Sequence, residues 1–141
     1  MTEHKSEYVL EHQIGFILRQ ASQRHHAIFN ASMPDGITPT QFSVLNMLSR
    51  LHQCSQNLLG RMVGMDAATV KGVIDRLCAR GLTVTAPDLD DARLILVSLT
   101  PEGRTLAAKC LLVATEISKE TLAPLSPAEQ KKLLALLKKI I

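Results

Sequence analysis

Tryptophan is absent from this 141-residue chain, and aromatic residues make up only 3% of it. So few ring faces, beside abundant leucine, argue against a β-sandwich and for helices packed on helices. There are three cysteines, Cys54, Cys78 and Cys110, with no CxxC pair among them. Their odd number and wide spacing support neither a disulfide framework nor a zinc ribbon. No apolar run approaches the roughly 18 residues of a membrane-spanning helix, so no membrane span is expected. The charged start "MTEHKSEYVLEHQ" lacks the apolar centre of a signal peptide, which makes the cytoplasm the expected compartment. No internal repeat or low-complexity tract occurs. Neither a nucleophile–base arrangement, a phosphate loop nor a metal-ligand spacing is seen, so the chain is not expected to be an enzyme or to hold a cofactor.

Neither sign of charge dominates: the net charge is +3. Between Gly36 and Gly103, six basic residues meet six acidic ones, while residues 104–141 hold seven basic against three acidic. The excess is therefore C-terminal, and charge alone is a weak signal for nucleic acid. A hydrophobic content of 46% suits one compact domain, or two small lobes sharing a core.

Residues 8–31 carry apolar side chains at helical spacing, among them Leu10, Ile14, Ile17, Leu18, Ile28 and Phe29. "MPDG" breaks that pattern. Thr38-Pro39 then signals a helix start, with Val44, Leu45, Leu48 and Leu51 as its buried stripe. Ser55 is placed to cap the next helix, whose core side reads Leu58, Leu59, Met62 and Val63; Gly64 ends it. Asp66 caps "AATVKGVIDRLCARG". Val70, Val73, Ile74 and Leu77 share one face of it, and Ala68, Lys71, Gly72, Asp75 and Arg76 fall opposite. Gly81 stops that helix. "LTVTAP" and "RLILVSL" read as two strands. Thr100-Pro101 opens a helix to about Leu122, and Ser126-Pro127 opens the last. Two short helices, a tight turn and a two-stranded hairpin make a winged helix-turn-helix, whose second short helix would enter a major groove. The predicted class is mainly α with a small β-hairpin wing. A helical dimerisation region is expected from the many leucines and isoleucines of the last two helices. Leu111, Leu112, Ile117, Leu122, Leu125, Leu133, Leu134, Leu136, Leu137, Ile140 and Ile141 are too many apolar groups for the ends of a small monomer.

Three segments carry a family pattern: "ITPTQFSVLNMLS", "DAATVKGVIDRLCARGLTVT" and "DLDDARLILVSLTPEG". With them the chain resembles the MarR family of bacterial transcription regulators over nearly its whole length. The last segment is the most specific, because the family wing has a D-x-R-D-x-R tip, a strand and "LTxxG". Asp88, Asp91, Arg93, Leu99, Thr100 and Gly103 fit it. One position departs. Asp90 stands where relatives often carry an arginine that reaches into the minor groove, and a carboxylate is repelled there. Asp88 or Asp91 is expected to pair with Arg93 and shape the turn.

The resemblance implies a ligand-responsive regulator, most simply a repressor, that binds double-stranded DNA as a homodimer on a near-palindrome. It divides the chain into an N-terminal dimerisation helix (1–35), a DNA-binding lobe (36–103) and C-terminal dimerisation helices (104–141). The expected DNA contacts are Ala67, Ala68, Thr69, Lys71, Gly72 and Arg76 of the second short helix, with Arg93 on the wing. Small residues allow close approach, Lys71 can donate to guanine or phosphate, and Arg76 reaches towards the backbone. Thr38, Gln41, Ser55 and Gln56 sit at helix starts, whose free N–H groups suit a phosphate, although each also serves as a simple cap. His12, Phe16 and Arg19 are grouped as a site for a small aromatic acid, the ring facing Phe16 and the carboxylate Arg19. The plainer assignment stands beside it: Phe16 in a dimer core and Arg19 paired with a neighbouring acid. His25 and His26 are adjacent and diverge, and no His, Cys and Glu cluster forms, so no metal is expected. The cysteines read as small buried hydrophobes. The alternative function is a winged-helix protein-interaction module with weak or no DNA binding, suggested by the neutral central segment and Asp90.

Overall fold

The computed structural model describes residues 7–141. Residues 1–6 of the expected N-terminal helical segment lie outside the described residues. The elements in chain order are α1 (Ile14–Ser32), α2 (Pro39–Leu51), β1 (Gln53–Ser55), α3 (Gln56–Val63), α4 (Ala67–Ala79), β2 (Thr83–Pro87), β3 (Ile95–Leu99), α5 (Pro101–Leu122) and α6 (Pro127–Lys138). The architecture is mainly helical with a small antiparallel sheet, as the sequence predicts. The chain divides into two compact units: residues up to Ala31 with Ile117–Ile141, and Ser32–Glu116.

The second unit holds the winged helix-turn-helix. Thr38 caps α2 through a complete capping box: its Oγ1 accepts from the Gln41 amide at 3.2 Å, and Gln41 Oε1 accepts from the Thr38 amide at 3.2 Å. Val44, Leu45 and Leu48 are buried as predicted, but Leu51, on the final turn before His52 bends to φ 65°, is exposed. On α3 only Leu59 and Gly60 are buried, while Leu58 and Met62 face outwards. A two-turn helix presents a single narrow stripe to its neighbours, so the broader core side expected from sequence does not form. A Cβ on Gly60 would lie 3.1 Å from Val70 Cγ1, which shows how closely α3 rests on α4. All four predicted core positions of α4 are buried.

The sheet has three strands, not two, in the order β1-β3-β2. β1 pairs antiparallel with β3, matching Cys54 with Val97. β2 and β3 form the wing, in register from Thr83 opposite Leu99 to Pro87 opposite Ile95. The wing is tied down at its base. Thr100 donates from N to Leu82 O at 3.1 Å and from Oγ1 to Gly81 O at 2.6 Å, and its Oγ1 accepts from Gly103 N at 3.0 Å. Gly103 packs directly on the Leu82 carbonyl, where an added Cβ would overlap backbone. The "LTPEG" step thus needs threonine as a clamp and glycine for the approach.

The first unit contains most of α1, the end of α5, and α6. The expected helix over 8–31 begins as an α-helix only at Ile14. A separate 3-10 turn, Leu10–His12, precedes it, because Val9 and Gln13 on its flanks are extended. Arg24 donates to the final carbonyls of α5, Thr121 O at 2.6 Å and Glu120 O at 3.0 Å, a favourable place for a cation. His25 Nδ1 lies 2.8 Å from Thr121 Oγ1. Ser126 and Glu129 form the capping box of α6. Of the apolar residues assigned to a dimer face, Ile117 is in the core, whereas Leu111, Leu112, Leu133, Leu134, Leu136, Ile140 and Ile141 are exposed. Ile14, Ile17 and Leu18 of α1 are exposed as well.

The clamp at Leu82 makes a specific prediction. Gly103→Ala forces the start of α5 off the Leu82 carbonyl and lowers stability by about 1–3 kcal/mol, the usual cost of overpacking. A chemical denaturation midpoint indistinguishable from wild type contradicts this account of the motif.

Candidate nucleic-acid interface

Helix α4 carries the site. Asp66 is its N-cap: Oδ1 accepts from Thr69 N at 2.7 Å. That hydrogen bond, with others from the start of the helix, holds the Asp66 carboxyl below the usual carboxylate range. The carboxylate therefore occupies part of the N–H cluster at this end. Ala67, Ala68, Thr69, Lys71, Asp75 and Arg76 are all exposed, and Gly72 is half-buried. The face expected from helical spacing is real and uncovered by the winged unit that bears it. Lys71 Nζ lies 2.8 Å from Asp75 Oδ2. Asp75 thus holds the lysine one turn before it. Arg76 curls back over Gly72, its Nη2 3.5 Å from where a Cβ would be.

The helix starts at α2 and α3 behave differently. Gln41 is buried, locked in its capping box and also approached by Arg80 Nη1 at 3.5 Å. It is not presented to a partner, which corrects its place among the expected contacts. Thr38 is exposed but its Oγ1 serves Gln41, and Ser55 Oγ accepts from Leu58 N at 3.2 Å. Both hydroxyls are committed to capping. Gln56, the first residue of α3, is half-buried. Sequence reasoning passed over Asn57 and Arg61. With Gly60, Met65, Asp66, Ala67 and Val70 they line a groove of about 280 Å³ between α3 and the start of α4. Their spacing of four residues on one short helix was the available signal.

At the wing tip the carboxylates build the turn. Asp88 Oδ1 accepts from Asp90 N at 2.8 Å and Asp91 N at 3.4 Å. Asp91 accepts from Arg93 N and Nε, both at 3.0 Å, and from Nη2 at 3.1 Å. The paired guanidinium holds Asp91 below the carboxylate range, and the Asp91 carboxylate in turn pushes Arg93 up. Asp91 is thus the partner of Arg93, and Asp88 serves the backbone. Arg93 itself has a side chain 90% exposed. Leu89 is fully exposed beside Asp90.

In the first unit, the Arg19 guanidinium lies 5.4 Å from the centroid of Phe16, a cation–π contact. No acidic partner of Arg19 is found among the described residues. His12 belongs to the 3-10 turn and not to α1, so the three residues do not share one helix. Cys54 and Cys110 are buried, and burial pushes both thiols up. Among the described residues no group of three or more His, Cys, Asp and Glu is placed to hold a metal ion. No described helix is long and apolar enough to cross a membrane.

Comparison with known proteins gives a consistent picture. Residues 35–94 match the model of the MarR family. The HTH-type transcriptional repressor NicR of Pseudomonas putida is 36% identical over 135 residues, covering 95% of this chain and 85% of that protein. A crystal structure of a probable transcriptional regulator from Pseudomonas aeruginosa superposes with a TM-score of 0.92 at 50% identity, over 94% of this chain and 100% of the other. BpsR of Bordetella bronchiseptica, whose DNA binding is regulated by 6-hydroxynicotinic acid, superposes with a TM-score of 0.91 at 40% identity, over 96% and 97% of the two chains. These relatives are regulators and not enzymes.

The Asp66 cap yields a pH prediction. Its folded pKa is depressed, so its contribution is present above the unfolded carboxylate pKa of about 3.9 and is lost as pH falls through the folded value. Asp66→Ala lowers the thermal midpoint at neutral pH, and its deficit against wild type shrinks on acidification below about pH 4. A deficit that stays constant with pH rules out the charged cap as the cause.

Proposed function

The chain belongs to the MarR family of transcription regulators, and we propose that it represses transcription as a homodimer bound to a near-palindromic operator and released by a small aromatic acid. The observation that carries this reading is the exposed face of α4, where small residues flank Lys71 and Arg76. We assign Ala67, Ala68, Thr69, Lys71 and Gly72 to the floor of the major groove, and Arg76, Arg61 and Asn57 to the flanking phosphates. Thr38 and Ser55 support those phosphate contacts through the helix starts they cap, and Gln56 through its place as the first residue of α3. Arg93, fixed by Asp91, is the cation the wing offers. Such a protein works in the cytoplasm, beside the chromosome.

Residues 36–103 form the DNA-binding lobe in this reading, and 1–35 and 104–141 supply the dimer interface. Exposed Ile14, Ile17, Leu133, Leu134, Leu136 and Ile140 make an apolar surface that a second copy would cover. A two-fold pair places its α4 helices about 34 Å apart, one turn of DNA. The effector class follows from BpsR: a hydroxylated, ring-bearing carboxylic acid of the 6-hydroxynicotinic type. Arg19 would receive the carboxylate, Phe16 the ring and His12 the hydroxyl. Binding acts by favouring a spacing of the α4 pair that does not fit the operator, and it weakens DNA affinity only by its preference for that state.

Titration of the protein against DNA from upstream of its own gene, at several salt concentrations, tests the main claim. Affinity should fall steeply, by about 0.9 log units per log unit of salt for each phosphate contacted. Salt-independent or undetectable binding favours the protein-interaction alternative that Asp90 suggests. Asp90→Arg should tighten operator binding by returning a groove-seeking charge to the wing; an unchanged or weaker affinity means the tip stays clear of the minor groove.

Effector action has a separate test. 6-Hydroxynicotinic acid should release the protein from that DNA, and Arg19→Ala should abolish the release while preserving ligand-free affinity. Full release of the variant removes Arg19 from the site.

A further inference from the structure

We propose that Lys71 and Asp75 act as one unit that reads a single G·C base pair in each operator half, which makes Asp75 a specificity-determining residue. The inference rests on the DNA-binding reading above. The two side chains sit one turn apart on the exposed face of α4, each 61% exposed, with Nζ and Oδ2 2.8 Å apart. The ammonium has three donors and spends one on Asp75, leaving two. Asp75 Oδ1 has no protein partner among the described residues. The pair therefore offers two donors beside one acceptor.

A G·C pair shows the complementary row across the major groove: guanine N7 and O6 accept, then cytosine N4 donates. An A·T pair shows acceptor, donor, acceptor, and leaves the lysine facing an amino group. The surroundings favour approach. Ala68 and Gly72 carry little bulk on the same face, and Arg76 lies back over Gly72. On unmatched DNA the carboxylate confronts phosphates with nothing to accept from, so Asp75 also penalises wrong sequences. An ordinary helix-surface ion pair would do neither; it would only firm α4.

Selection from a pool of randomised duplexes, followed by sequencing, tests the unit in wild type, Asp75→Asn and Lys71→Gln. Wild type should enrich sites with a symmetric G·C pair in each half. Both variants should lose preference at that pair by about 5- to 150-fold, the range of a good two-point base contact. Asp75→Asn should at the same time bind unselected DNA more tightly than wild type. Variants that keep the wild-type preference at every position overturn the proposal and leave the pair as helix reinforcement, visible only as a small fall in thermal midpoint. A wild-type protein that enriches no sequence overturns the DNA-binding reading, and this one with it.

Discussion

The winged unit depends on one backbone contact, the seating of Gly103 on the carbonyl of Leu82. That carbonyl accepts from Thr100 N, and the Thr100 hydroxyl reaches back to Gly81 O. The contact therefore joins the end of α4, the first strand of the wing and the start of α5 at one point. Gly81, at φ 72°, makes the turn that brings Leu82 there. Leu82 and Leu99 are then both buried beneath the junction. Without it the base of the hairpin would lose its tie to the end of α4 and the start of α5. The third strand, β1, adds a second anchor by closing the other edge of β3.

On this rigid base the protein presents a surface that is nearly balanced in charge. Lys71 is partnered by Asp75, and Arg93 by Asp91. Two of the cations on this surface are thus each accompanied by an acid, while Arg61 and Arg76 are exposed without such a pair among the described residues. Non-specific attraction scales with unpaired cations near phosphate, so the balance lowers indiscriminate binding. Specific binding depends more on the row of donors and acceptors facing the base edges, and there an ordered ion pair costs little to position. Weak general attraction with defined local chemistry suits a regulator that must find few sites among many.

Much of this was legible in the sequence because it was local. Caps at Thr38, Ser55, Asp66 and Ser126 announced their helices, and the apolar period of α4 matched its burial at all four positions. What escaped was set by distance along the chain. "QCS" is too short to show a strand period and has no β-formers, yet it becomes a strand because β3, far along the chain, supplies its partners. Gln41 was grouped with the residues at helix starts; nothing local marks its burial or the approach of Arg80 from the end of α4. The outward turn of Leu58 and Met62 reflects how little of a two-turn helix its neighbours can cover. The pairing of Lys71 with Asp75 was available from their spacing of four residues.

The wing tip shows why a family pattern must be read atom by atom. Its three acids are not equivalent. Asp88 turns its carboxylate inward onto the amides of Asp90 and Asp91, and Asp91 spends both oxygens on Arg93. These two are turn scaffolding, and their charge is largely used by the donors they hold. Asp90 contributes only its amide to the turn, so its carboxylate is the unspent one, set beside the fully exposed Leu89. An arginine at that position in relatives would point its charge outwards from the same frame. Asp90 therefore sets the charge that the wing tip presents, while the turn itself is built by its neighbours.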